Sequence, residues 1–154
     1  MNHTTEDNRN ASADAIVRSG VETAMASATF PVWNIYAAAI LGVQTRMTFQ
    51  LCELYDTEFQ TETARRLIRA LLEHIAPELA AKDDTTPSKP PPDTGNASEI
   101  KILAGAATHS VGHVFADHLA QGGTVLNLDP TAEKAALEAL FDTGKTVAEG
   151  LATD

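Results

Sequence analysis

The sequence has 154 residues, with one cysteine, Cys52, and few basic residues. One cysteine cannot form a disulfide within the chain, which argues against an oxidising compartment. Lys and Arg number 11 against 21 Asp and Glu, so the net charge is −10 with neutral histidines. Nucleic acids and anionic membranes are themselves negatively charged, so neither is expected to bind this chain by charge alone. The composition therefore argues against a nucleic-acid partner.

The sequence also lacks a long apolar run and a secretory leader. Its longest apolar stretch, residues 30–43, is interrupted by Asn34 and is shorter than the roughly 20 residues that span a bilayer. The first residues are polar and acidic, whereas a signal peptide needs a basic start followed by an apolar run. These features predict a cytoplasmic protein. Peripheral insertion of residues 30–43 into a membrane surface is the alternative.

Apolar residues that recur at helical spacing predict an all-α fold, a compact bundle of about five helices. The predicted helices cover residues 13–29, 32–55, 61–80, 98–121 and 130–148. Residues 1–12 are polar and predict a disordered tail. The prolines and acids of residues 82–97 predict a Pro-rich linker between the third and fourth helices. Residues 13–81 and 98–150 are expected to pack together as one domain.

Two short motifs resemble a known family. One is Gln-x-x-Met followed by Leu-Tyr on an apolar helix, and the other is Thr-x-x-x-Gly on a helix that ends in a glycine pair. Their residues are Gln44, Met47, Tyr55, Thr108, Gly112, Gly122 and Gly123. Together they resemble the bacterial domain-of-unknown-function six-nine-seven family, also known as YcjF-type. The resemblance implies a helical domain without an established activity, which in many relatives lies beside a small GTPase domain or membrane segments. It thus implies a GTPase acting in trans, and it supplies no catalytic residue.

Small residues recur at every fourth position of the predicted fourth helix. This row comprises Ala104, Thr108, Gly112 and Ala116, and Ala38 and Gly42 on the second helix offer a matching surface. Small side chains let two helices approach closely. We interpret the row as helix packing within the chain, with self-association as the alternative.

His109, His113 and Asp117 are spaced four residues apart and fall on one face of the predicted fourth helix. Two imidazoles one turn apart can share a divalent metal. The same pattern is typical of a solvated polar face, and a pH-sensitive contact is a third interpretation because imidazole titrates near neutrality. A metal- or small-ligand-binding helical protein that uses these three residues is therefore the alternative function.

Arg65, Arg66 and Arg69 form the densest positive charge in the sequence. Glu62 and Glu73 stand four residues from two of these arginines, which is typical of a salt-bridged helix face. The functional interpretation is a binding site for an acidic protein partner or a phosphate.

No motif assigns a reaction to the chain. Residues 139–146 fit a relaxed phosphate-loop pattern, but they lie inside a predicted helix and not in a glycine-rich turn after a strand. No catalytic residue is predicted. The leading hypothesis is a non-enzymatic helical interaction or assembly domain, with self-association and a GTPase or membrane partner among its expected properties.

Overall fold

The computed structural model describes residues 2–27, 33–80 and 95–153. Within these three ranges every regular element is a helix, so the predicted all-α fold with five main helices is confirmed. The helices are α1 (Asn2–Ala26), α2 (Trp33–Leu54), α3 (Thr61–Ile75), α4 (Ala97–Ala120) and α5 (Lys134–Ala152). Short 3₁₀ helices follow α3 at Pro77–Leu79 and α4 at Val125–Asn127.

The central helix of the bundle is α4, which contacts α1, α2, α3 and α5. Many of its buried side chains are small, and this allows its neighbours to approach closely. A Cβ built on Gly112 would lie 2.8 Å from Val17 Cγ1 of α1. A Cβ built on Gly144 of α5 would lie 2.8 Å from the backbone oxygen of Ala106. Both distances are below van der Waals contact, so these crossings require glycine.

The N-terminal helix is longer than the sequence predicts. Residues 2–12, predicted to be a disordered tail, continue α1 in the structure, and those from Glu6 to Ser12 are exposed. Composition gives no sign of this extension because residues 2–12 contain no large apolar residue. The later turns of α1 are buried against the core at Ala13, Val17, Val21 and Ala24. Once that part of the helix has formed, each added residue gains one backbone hydrogen bond.

Other helix boundaries also differ from the predictions, including the end of α5, which lies at Ala152 and not at residue 148. α3 ends at Ile75, since a proline at position 77 interrupts the helical hydrogen bonds. α4 begins at Ala97, and its N-cap is Asn96, whose Oδ1 accepts a hydrogen bond from the backbone N–H of Glu99 at 2.9 Å. Residues 130–133 form a turn before α5.

Two predicted features lie partly outside the described residues. These are most of the Pro-rich linker, at residues 82–94, and the start of the apolar stretch, at residues 30–32. Among the helices that the structure describes, none has the length and apolar character that crossing a bilayer requires.

Two aromatic residues fix the start of α2 against the rest of the bundle. The indole Nε1 of Trp33 donates to the backbone oxygen of Glu78 at 3.1 Å. The Tyr36 hydroxyl donates to the backbone oxygen of Ile100 at 3.5 Å, and the two rings lie 5.3 Å apart. These contacts join α2 to the segment after α3 and to α4, and so they fix which face of α2 points outward.

Candidate functional site

Four residues of the two motifs meet where α1, α2 and α4 cross. Gln44 Nε2 donates to Thr108 Oγ1 at 3.1 Å, and both side chains are fully buried. Met47 occupies the space beside Gly112, because its Sδ would lie 2.9 Å from a Cβ at that position. Sequence reasoning singled out these residues but did not foresee the hydrogen bond between α2 and α4. Four residues of the motifs therefore make contacts that hold α1, α2 and α4 together.

The remaining motif residues lie at helix ends. The Tyr55 hydroxyl donates to Asn10 Oδ1 at 3.3 Å and joins the end of α2 to α1. Gly122 has a φ of +90°, which favours glycine. A Cβ at Gly123 would overlap the ring of His118.

The row of small residues on α4 is buried within the chain. The predicted counterpart of this row on α2 does not pack against it. Ala38 and Gly42 are exposed, and no atom lies within 4 Å of a Cβ built on Gly42. α2 is apolar on most of its sides, so periodicity alone could not identify the side that packs against α4.

The imidazoles of His109 and His113 lie close together, with ring centroids 4.4 Å apart. Burial, assisted by the charge of His113 and opposed by Asp14, lowers the pKa of His109 to about 4. Over the described ranges, no three His, Cys, Asp or Glu side chains are grouped so that they could hold a metal ion. Asp117 therefore does not complete a ligand set with the two histidines. It is eight residues from His109, a rise of about 12 Å along the helix.

The three arginines of α3 differ in their exposure to solvent. Arg66 is exposed, whereas Arg65 and Arg69 are partly buried. Arg65 lines a surface groove between α2 and α3, together with Arg46 of α2. Arg46 could not be linked to Arg65 from the sequence, because 19 positions separate the two residues and only the fold brings them to one groove.

This α2–α3 groove has a volume of about 380 Å³. Its lining is Ala38, Gly42, Thr45, Arg46, Phe49, Phe59, Thr61 and Arg65. The rings of Phe49 and Phe59 pack edge to face, with centroids 5.2 Å apart. Two guanidinium groups and no carboxylate line the groove, although acids outnumber bases in the chain.

An exposed row of apolar residues continues from the groove along α2. We define this α2 stripe as Ile35, Ala38, Gly42 and Phe49. The four positions are three, four and seven residues apart, so they share one helix face. Ile35 is 51% exposed and Phe49 is 42% exposed, whereas Ile40 on the other side of the helix is fully buried. The outer face of α2 therefore exposes apolar side chains to solvent, and Phe49 contacts Phe59 at one end of the stripe.

A second depression, the α4–α5 cleft, has a volume of about 300 Å³. Its lining is Glu78, Glu99, Ile102, Leu103, Phe141, Lys145 and Glu149. The Lys145 ammonium lies 4.8 Å from the centre of the Phe141 ring and 3.9 Å from Asp142 Oδ1. This cleft has an apolar floor like that of the groove, but its rim is mainly acidic. Residues 139–146, which fit the phosphate-loop pattern, lie within α5.

Comparison with known proteins found no matching family model and no matching solved structure. The chain is similar to Magnetosome membrane protein 22 of Magnetospirillum gryphiswaldense. The two are 29% identical over 140 residues, which covers 88% of this chain and 72% of that protein. The similarity therefore extends over most of the helical bundle, and the resemblance to the YcjF-type family stays a prediction.

Proposed function

We propose that this chain is a non-enzymatic helical protein that associates with a membrane surface. The observation that carries the proposal is the similarity to a magnetosome membrane protein over 88% of the chain. A match of that extent covers most of the helices that pack in the bundle and is not confined to one short motif. The GTPase partner and the divalent metal expected from the sequence are separate predictions and do not contribute to this proposal.

The α2 stripe supports the same function. Ile35 and Phe49 are large apolar side chains that face water. Contiguous exposed apolar surface is typical of sites that contact another protein or a membrane. If α2 lay in the plane of a bilayer, both side chains would enter the interfacial region and leave water. Each square ångström of apolar area so buried contributes about 25 cal/mol.

Flotation of the purified full-length chain tests this function. The chain is mixed with native membrane vesicles from its source organism, and vesicles are separated from free protein on a density gradient. We expect the chain to float with the vesicles and to remain at the bottom without them. Protein that stays at the bottom in both cases would overturn the proposal. A parallel sample with protein-free lipid vesicles shows whether lipid alone is sufficient.

A further inference from the structure

The groove is a local exception to the charge of the chain. The chain carries 21 acids and 11 bases, yet Arg46 and Arg65 line the groove without any acidic residue. Arg46 is exposed and Arg65 is partly exposed, so both arginines are accessible to a ligand at the surface. A guanidinium presents its donors in a planar fork that matches the oxygens of phosphate. The chemistry of the groove therefore suits an anion with phosphate oxygens.

The groove also has an apolar part that a free anion would leave exposed. The edge-to-face pair of Phe49 and Phe59 forms one side, and Gly42 leaves open space on the surface of α2. From Phe49 the α2 stripe continues to Ile35, 14 residues away, which is about 21 Å along the helix. The occupant that fits both parts has an anionic head and an apolar body.

We propose that the α2–α3 groove binds the anionic head group of membrane phospholipids, with Arg46 and Arg65 on the phosphate and the α2 stripe at the acyl boundary. This inference rests on the proposed membrane association and adds to it the lipid class and the contact residues. α2 lies in the plane of the bilayer, in the manner of interfacial amphipathic helices.

The net negative charge of the chain does not prevent this contact. At physiological ionic strength the Debye length is about 8 Å, so acids remote from the groove are largely screened from the bilayer. The two arginines are at contact distance and are screened much less. The acidic α4–α5 cleft is disfavoured as a second contact because its glutamates would face the lipid phosphates.

The test uses the full-length chain with vesicles of phosphatidylcholine alone and of phosphatidylcholine mixed with phosphatidylglycerol. We expect strong flotation only with the mixed vesicles. The double variant Arg46→Gln with Arg65→Gln is expected to bind the mixed vesicles about 30-fold more weakly, since each arginine near an anionic surface contributes about fivefold. The matched control is Arg18→Gln with Lys145→Gln, which removes the same charge elsewhere and is expected to bind within about twofold of the wild type. Circular dichroism melting confirms that both variants are folded.

Each of the following results would overturn the inference. The first is equal binding to the two kinds of vesicle. The second is a folded groove variant that binds as the wild type does. The third is a groove occupied by a second copy, seen as a dimer in light scattering that Phe49→Ser dissociates without changing flotation. Binding to native membranes without binding to protein-free anionic vesicles would refute the lipid site and leave the proposed function standing. An absence of binding to either would refute both.

Discussion

The α2–α3 groove and the α4–α5 cleft are similar in size but opposite in charge. Their volumes are about 380 and 300 Å³, and each is lined by at least one phenylalanine. The groove is lined by two arginines, whereas the cleft is lined by Glu78, Glu99 and Glu149 beside a single lysine. Exposed apolar area is common on proteins and does not by itself select a partner. The sign of the charge around it discriminates between partners, and it directs the groove toward anionic surfaces.

Both surfaces depend on the close packing of α4. We therefore expect the largest effect on stability from a substitution that disrupts this packing. Gly112→Leu places a side chain where a Cβ alone would already lie 2.8 Å from Val17 Cγ1. We expect a loss of about 3 kcal/mol in the free energy of unfolding, measured by urea denaturation, because overpacking forces α1 away from α4. Gly42→Leu is the matched control, since no atom lies within 4 Å of its Cβ. Equal stability of the wild type and Gly112→Leu would refute the packing account of the small-residue row.

Exchanging the charges of the two surfaces is expected to have the next largest effect. Arg46→Glu with Arg65→Glu makes the groove acidic, and Glu99→Lys with Glu149→Lys makes the cleft basic. We expect the first pair to reduce binding to anionic vesicles by at least about 30-fold and the second pair to increase this binding. The reason is that a charge close to an anionic surface directly changes the free energy of binding. A cleft variant that loses binding as the groove variant does would show that the two surfaces are not distinct.

Acidification should act where α4 packs against α5. His109 packs against α5 at Gly144, and its pKa is lowered from 6.5 to about 4, mainly by burial. Between these values the unfolded chain binds more protons than the folded chain. The stability that the neutral imidazole of His109 contributes is therefore fully present above about pH 6.5. It is lost as the pH falls toward 4. The ring is partly exposed, so we discount the full shift and expect a loss of about 1 kcal/mol.

Urea denaturation across this pH range measures the effect. His109→Gln serves as the control, because it removes the imidazole and leaves the carboxylates of the chain unchanged. The wild type should lose more stability on acidification than His109→Gln does. Parallel pH profiles for the two proteins would contradict the assignment of the pH dependence to His109.

The smallest effect on stability is expected on the α2 stripe. Ile35 is half-exposed, so Ile35→Ser should change the free energy of unfolding by no more than about 0.5 kcal/mol. Ile40→Val, on the buried side of the same helix, should cost about 1 kcal/mol although it removes only one methyl group. Thermal melting of both variants measures the two changes in stability. A large loss in Ile35→Ser would show that the stripe belongs to the core.

Much of the fold could be predicted from the sequence, whereas the groove could not. Apolar residues at helical spacing predicted the five helices, although α3 ends at Ile75 and not at residue 80. The outer face of α2 was misassigned because the helix carries apolar residues on most sides. Which side is buried depends on tertiary contacts such as that of Trp33 with Glu78. The charge of the groove comes from two helices, and no local pattern joins Arg46 to Arg65.

Fluorescence quenching by lipids with brominated acyl chains tests the central claim most directly. In a Trp33→Phe background, Phe49→Trp places the only indole at the groove, and Phe141→Trp places it at the cleft. With vesicles that contain brominated phosphatidylglycerol, the account predicts strong quenching of the Phe49→Trp protein and little quenching of the Phe141→Trp protein. Equal quenching of the two, or stronger quenching at the cleft, would contradict it.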